Sequence, residues 1–550
     1  MKYYLTFLVL IFAMNIYAQE QSPSVKTPIP ISIPAEWEEV QAILVSWPFL
    51  SHTENNDPAE VHEYYLKYVT VWAKLAEAVQ KECSIWIRVY RHEDTLAVKS
   101  ILNDYKVALT NYKFIVYPGD NFWIRDYGPL CIYYGDRDSI GVIDTRYLKQ
   151  TTNYFTDALP SHITAVLKAK PFKTKLVYEG GNIKTDGFGN SFFTSEVFRD
   201  NTKLNIWPQK TTLDTMRSVF KAGSLTELHA LVCDGGTGHI DMFFEMLDEQ
   251  TIALAEYPDS IHIPDRDILV RNRKILESKL SVYGEPYKIV RMPMPDPANS
   301  DFSGTSCKDL NRDPRTYMNG IFVNKSYIVP IFSPDTLINT TDAEAIAVLK
   351  KNLPGYTIVP IDSRILSVSM GGIHCITSQI PAENPIRFKM KDVPRSTMPL
   401  VETYPISVEI TNKDNIKTAQ LTTRKRGATW SGQFLKLNQR GSVNLAKTTD
   451  KIFHGEIDGS FLTVGDTVDY YFSAESFNGK KMTKPITAPD GYYSFVIVEA
   501  AKHQTGELMQ VPFFKTEVAE NDLKFHIISN KVPELNEAEP ARQLFPHDVR

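Results

Sequence analysis

Between Phe114 and Thr377 the chain repeats one device five times: an apolar run, a glycine-rich polar turn, and a second apolar run. The turns are Asn121-Phe122-Trp123-Ile124-Arg125-Asp126-Tyr127-Gly128, Glu179-Gly180-Gly181-Asn182, Gly235-Gly236-Thr237-Gly238-His239, Tyr317-Met318-Asn319-Gly320 and Gly371-Gly372-Ile373-His374-Cys375. Such a chain is constrained toward a pseudo-repeated fold with its polar turns gathered at one end. The irregular spacing leaves five unrelated hairpins as the alternative reading.

Ahead of the repeats, Asp57-Pro58-Ala59-Glu60 reads as a capped helix start. Tyr64, Tyr65, Tyr68, Trp72, Leu75, Ala76 and Val79 then recur at helical spacing. Ile85, Ile87 and Val89 alternate as a strand, Glu93 to Tyr105 patterns as a second helix, and Phe114 to Tyr117 as another strand. The first region is therefore of the α/β class. After Pro381 the helical periodicity fades. Ile406, Val408 and Ile410, then Val468, Tyr470, Phe472 and Ala474, then Tyr493, Phe495 and Ile497 alternate, and Asn478-Gly479 signals a type I′ hairpin. This stretch reads as a small antiparallel β-sandwich, set off by Pro381, Pro385 and Pro394.

With 550 residues the chain exceeds one ordinary core, so two or more domains are expected. Lys2, the apolar run Tyr3 to Met14 and the small residue Ala18 pattern as an export leader, too short to span a bilayer comfortably. No second long apolar run follows, so no membrane span is expected once the leader is removed. A net charge of -5 carries no basic footprint for nucleic acid. The five cysteines, Cys83, Cys131, Cys233, Cys307 and Cys375, form no CxxC pair, and in an exported chain an odd count leaves at least one thiol unpaired within the chain.

Each candidate residue has a dull explanation on its own: a buried Cys is usually inert and Gly turns are common. Together they suit one chemistry. Cys375 can be a nucleophile as its thiolate, His239 can give and take a proton, and Asp126 and Asp241 accept from a planar cation with several N–H donors. Trp123 offers that cation an aromatic face. A thiolate facing two carboxylates is disfavoured unless the substrate is itself a cation that neutralises them.

These turns, with Pro34-Ala35-Glu36-Trp37-Glu38, Thr237-Gly238-His239-Ile240-Asp241 and the continuation Ile376-Thr377, resemble the agmatine deiminase family over residues 30–385. Within it the chain is most similar to the bacterial secreted peptidylarginine deiminases. The resemblance implies a five-bladed α/β propeller of the guanidino-group-modifying type, with no metal and no organic cofactor. It implies that Cys375 attacks the guanidinium carbon to give a thiouronium-type intermediate. His239 protonates the departing ammonia and activates water, Asp126 and Asp241 grip the guanidinium, Trp123 lines the pocket, and Asn319 supports the site. Glu179-Gly180-Gly181-Asn182 stands behind the reacting groups and shapes the backbone.

The chain then divides into a leader over 1–18, a catalytic propeller over 27–385, an Ig-like β-sandwich over 386–500 and an unassigned tail over 501–550. A leader and a sandwich favour arginine in peptides or proteins, converted to citrulline, in an exported enzyme. The alternative substrate is a small guanidine such as agmatine, converted to N-carbamoylputrescine. One departure stands out: the Arg-Pro-Arg stretch by which characterised secreted members grip a C-terminal carboxylate is replaced by Asp144-Thr145-Arg146-Tyr147-Leu148-Lys149-Gln150. Arg146 is the substrate-binding candidate there, with Lys149 beside it, and the insertion Pro295–Pro314 stands to reshape the rim. Rival readings are a cysteine peptidase built on Cys375 and His239, and an exported non-enzymatic binding protein.

Overall fold

The computed structural model describes residues 31–48, 58–119, 121–135, 138–147, 154–298, 302, 304–334, 337–434, 436–437, 451–499, 515–519 and 522–526. The export leader, the cap at Asp57 and Lys149 lie outside them.

The repeated device becomes five separate sheets of three or four strands. Each has the same build. The strand that follows a polar turn runs antiparallel to a second strand, and a helical crossover then leads to a third strand parallel to the second, as a parallel pair requires. Leu130–Tyr134, Ser139–Arg146 and Lys170–Val177 follow this order with helix Tyr154–Val166 between the last two. So do Lys184–Thr185, Asn190–Thr194 and Ser224–Leu228, Phe244–Met246, Thr251–Glu256 and Lys288–Pro293, and Ile321–Val323, Ser326–Ile331 and Thr357–Asp362. In the remaining sheet the strand after the fifth turn, Thr377–Pro381, pairs with Val40–Ser46 near the start of the chain. Val40–Ser46 in turn runs parallel to Ser84–Val89 and that to Tyr112–Val116. This pairing ties the late turn carrying Cys375 to the first sheet.

Strands covered on both faces carry unbroken apolar runs, and Ser326–Ile331 is buried at every position. In the helix Pro58–Gln80, Trp72, Leu75, Ala76 and Val79 face the core as their spacing predicts, whereas Tyr64 is left 55% exposed. Among the described residues no helix is long and apolar enough to cross a membrane.

Residues 387–498 form two further sheets, one of four strands and one of six, around a core of their own that includes Phe388, Ile406, Val408, Leu421, Tyr470, Phe472 and Phe495. Thr403–Thr411 and Thr467–Ser476 bury alternate residues as their sequence alternation predicts. The hairpin at Asn478-Gly479 differs from expectation. Only Gly479 has positive φ (86°), whereas a type I′ turn needs it at both central residues. Ser476 N donates to Lys480 O across a three-residue loop, so the glycine takes the left-handed position that closes it. This module meets the first region through buried ion pairs, Arg387 with Glu38 (2.8 Å) and Asp138 (3.2 Å) and Lys484 with Glu249, and through Arg395 stacked on Tyr283. A cavity of about 500 Å³ lies between the two, lined in part by Trp37, Phe188, Tyr356 and Tyr493. Within the tail, Lys515–Ala519 pairs with Asp522–His526.

Cys233 and Cys307 form a disulfide, while Cys83, Cys131 and Cys375 are free and buried. The bridge pins the 295–314 insertion to the loop that leads to His239. Asn311 reinforces it by accepting from Gly235 N (2.8 Å).

Candidate active site

The five turns stand immediately before the first strand of each sheet, and their side chains meet. A Cβ placed on Gly181 would lie 2.7 Å from His239 Nδ1, 3.0 Å from Asp241 Oδ2 and 3.3 Å from Asp126 Oδ1. Glycine is required there because three functional groups from two other turns converge on the space a methyl group would fill. The turns are tied across the chain: Arg125 N donates to Cys375 O (3.1 Å), Arg125 Nε to His374 O (3.2 Å), and His374 N to Asn319 O (2.9 Å). Gly371 serves the same end at the lip, where an added Cβ would sit 2.4 Å from the ring of Trp123.

Cys375 is 3% exposed. Asn319 holds it from two sides, donating through Nδ2 to Sγ (3.3 Å) and accepting through Oδ1 from Cys375 N (3.2 Å). Sγ also lies 3.8 Å from Asp241 Oδ2. Burial pushes the Cys375 thiol well above its ordinary range, and the negative charges of Asp241 and Asp126 push it further; the Gly372 N–H and Asn319 only partly offset them. Cys375 therefore rests as a thiol, and a cation between the carboxylates would draw out the thiolate.

His239 Nε2 lies 2.7 Å from Glu179 Oε2, and its Nδ1 lies 3.6 Å from Asp126 Oδ1. A buried imidazole oriented by a carboxylate can exchange protons with a reacting group. Asp126, Glu179 and His239 also each offer an atom within 4.8 Å of the others, a grouping that could hold a small cation. Asp241 is wholly buried, which alone would raise its carboxyl. His374, hydrogen-bonded through Nδ1 to Oδ2 (2.7 Å), together with the charges of His239 and Lys184, holds it below its ordinary value. The site thus couples a thiol, a proton-transfer imidazole and two anionic acceptors, a set fitted to attack on a planar cation.

Cys375, His239, Asp126, Asp241, Asn319 and Trp123 are brought to this one place. Arg146 is not: its Nη1 donates to Asn205 Oδ1 (3.2 Å) at the end of helix Glu196–Asn205, the C-terminal neighbour that its strand presents to it. Glu179, read from sequence as backing the reacting groups and shaping the backbone, orients His239. His374, next to the thiol in the sequence, orients Asp241. Glu36 touches His374 from the Pro34–Glu38 stretch (2.8 Å). The available signal for these was the charged residue standing inside an otherwise apolar or glycine-rich run.

The profile of the Porphyromonas-type peptidyl-arginine deiminase family matches residues 32–381. The agmatine deiminase of Pseudomonas aeruginosa is 24% identical over 374 residues, covering 64% of this chain and 95% of its own length. Among solved structures, the agmatine deiminase of C. jejuni superposes with a TM-score of 0.51 at 20% identity, covering 66% of this chain and 99% of its own. The agmatine deiminase of Enterococcus faecalis gives 0.54 at 17%, covering 65% and 99%. These relatives match over nearly their whole length but leave about a third of this chain unmatched.

Proposed function

The chain belongs to the Porphyromonas-type peptidyl-arginine deiminase family, hydrolases acting on C–N bonds of guanidino groups, and from that premise we propose that its substrate is a small alkylguanidine of the agmatine class. The observation that carries the reading is the meeting of Asp126, Asp241 and His239 over Gly181, with the Cys375 sulfur 3.8 Å from Asp241. The agmatine deiminases matched in sequence and fold support the small substrate.

Asp126 and Asp241 accept from the guanidinium N–H groups, and the bound cation offsets the charges that keep Cys375 protonated. The thiol proton passes to His239 as sulfur attacks the guanidinium carbon. The tetrahedral adduct expels one amino group as ammonia, which takes its proton from His239 and leaves a thiouronium on Cys375. His239 then removes a proton from water, the oxygen adds to the same carbon, and the C–S bond breaks to release the ureido product and the thiol. Asn319 holds the sulfur throughout, and Trp123 lines the approach. The scheme assigns no step to Arg146, whose Nη1 donates to Asn205 Oδ1.

We read the five sheets as the blades of a five-bladed propeller over 27–385, followed by an Ig-like sandwich over 386–500. A second reading, arginine within peptides, is favoured by the family's own description and by the extra β module that the agmatine deiminases lack. It goes with export through the 1–18 leader, which cell fractionation of the full-length protein tests. For the substrate, a colorimetric ureido assay on agmatine, free arginine, internal-arginine peptides and C-terminal-arginine peptides decides. Turnover of agmatine in preference to the peptides is expected. Turnover of peptides alone replaces the small substrate with peptidyl-arginine, and peptide-bond cleavage overturns both.

A further inference from the structure

Behind the site runs a chain of buried ionisable groups that touches no reacting atom except through Asp241. His374 is wholly buried, with Nδ1 2.7 Å from Asp241 Oδ2 and Nε2 2.8 Å from Glu36 Oε1. The same Glu36 oxygen lies 3.0 Å from Lys184 Nζ, which is 2.7 Å from Glu245 Oε2 and 3.1 Å from His374 Nε2. The side chains of Lys184 and Glu245 are each 1% exposed.

We propose that His374 is a positioning residue for the guanidinium grip, acting through Asp241 and itself held by the buried Glu36–Lys184–Glu245 chain. The inference rests on the functional reading above and deepens it. Its logic is hydrogen bonding. Asp241 is an anionic acceptor, so His374 Nδ1 must donate to it. Glu36 is anionic too: burial alone would raise its carboxyl, but His374, Lys184 and Arg125 hold it well below the usual carboxylate range. His374 Nε2 stands between Glu36 Oε1 (2.8 Å) and Lys184 Nζ (3.1 Å), so the ring bridges Asp241 to the buried Glu36–Lys184 pair. Lys184 remains charged because Glu245 and Glu36 outweigh the burial that would neutralise it. Glu245 is pushed up to about 8 by burial and by the charge of Glu36 against the pull of Lys184.

Packing does not call for this. Buried ion pairs can often be replaced by apolar groups of like volume without loss of stability. What the chain provides is a fixed carboxylate. His374 occupies Asp241 Oδ2, leaving Oδ1, buried and without a hydrogen-bond partner among the described residues, as the acceptor for substrate. The groups facing Asp241 are His374, His239, Lys184 and the Cys375 thiol; those facing Glu36 are His374, Lys184 and Arg125.

Glu36→Gln keeps the shape and removes the charge. It loosens the hold on His374, lets the Asp241 carboxyl rise, and makes binding depend on a proton that must leave. The test is calorimetric binding of agmatine and of an arginine peptide to full-length Cys375→Ala protein, with and without Glu36→Gln, at pH 6 and pH 8 in buffers of different ionisation heat. The parent is expected to bind without proton exchange. The Glu36→Gln protein is expected to bind about tenfold more weakly at pH 6, as an ionised Asp241 fraction of about one-tenth gives, to release a proton on binding, and to recover towards pH 8. Glu36→Gln/Lys184→Met, which removes the facing charges together, serves if the single variant does not fold. Equal binding with no proton release, or a loss of equal size at both pH values, overturns the positioning role alone. A parent that binds neither probe refutes the functional reading and this inference with it.

Discussion

Gly181→Ala tests the convergence of the site with one methyl group. No positive φ is recorded for Gly181, so alanine fits the backbone and the strain is confined to the side chains it meets. Its Cβ would stand 2.7 Å from His239 Nδ1 and 3.0 Å from Asp241 Oδ2. Ordinary contact begins near 3.4 Å, so the imidazole must retreat by roughly 0.7 Å, within the range in which a 1 Å misplacement costs about 100-fold in rate. His239 can withdraw only by disturbing its 2.7 Å contact with Glu179. We therefore expect kcat/KM for the preferred guanidine to fall about 100-fold, equivalent to about 2.7 kcal/mol of transition-state stabilisation. Folding should be unaffected, because replacing a glycine whose backbone tolerates alanine stabilises by about 0.4–1 kcal/mol through the unfolded chain. The assay is initial-rate ureido release beside a thermal melt. Activity within threefold of the parent, with a normal melt, would show that the three groups do not share the space assigned to them.

Two further outcomes follow from the same geometry. Removing a negative charge that raises the Cys375 thiol should lower it, so Asp126→Asn should increase the rate of iodoacetamide alkylation at Cys375 near pH 8 while reducing turnover; slower alkylation would contradict the charge argument. Cys233→Ser/Cys307→Ser should cost about 2–5 kcal/mol of stability, read as a lower midpoint in urea with folding retained; an unchanged midpoint would show that the bridge does not constrain the chain.

The sequence made the five turns legible because each sets a polar, glycine-rich stretch against apolar runs, and the structure lodges all five at the head of like-built sheets. Alternation likewise located Thr403–Thr411 and Thr467–Ser476, since period-two burial leaves a direct imprint. What stayed hidden depended on contacts between residues far apart in the chain. Lys184 and Glu245 stand in the sequence as odd charges, Glu245 between Phe244 and Met246, and only the fold shows that they pair with one another. The Cys233–Cys307 pair, 74 residues apart, left no spacing signature. Asn478-Gly479 marked a turn but not its type, because the backbone angle at Asn478 is set by loop length and not by the dipeptide.

The central claim is that Cys375 carries the guanidino carbon through the reaction. Full-length protein quenched in acid during turnover of its best guanidine, then digested and weighed by mass spectrometry, tests it directly. The Cys375 peptide should carry an added mass equal to the substrate less ammonia, absent in Cys375→Ala, which should form no ureido product. Ureido formation by a folded Cys375→Ala protein, or an adduct found on another residue, would contradict the account.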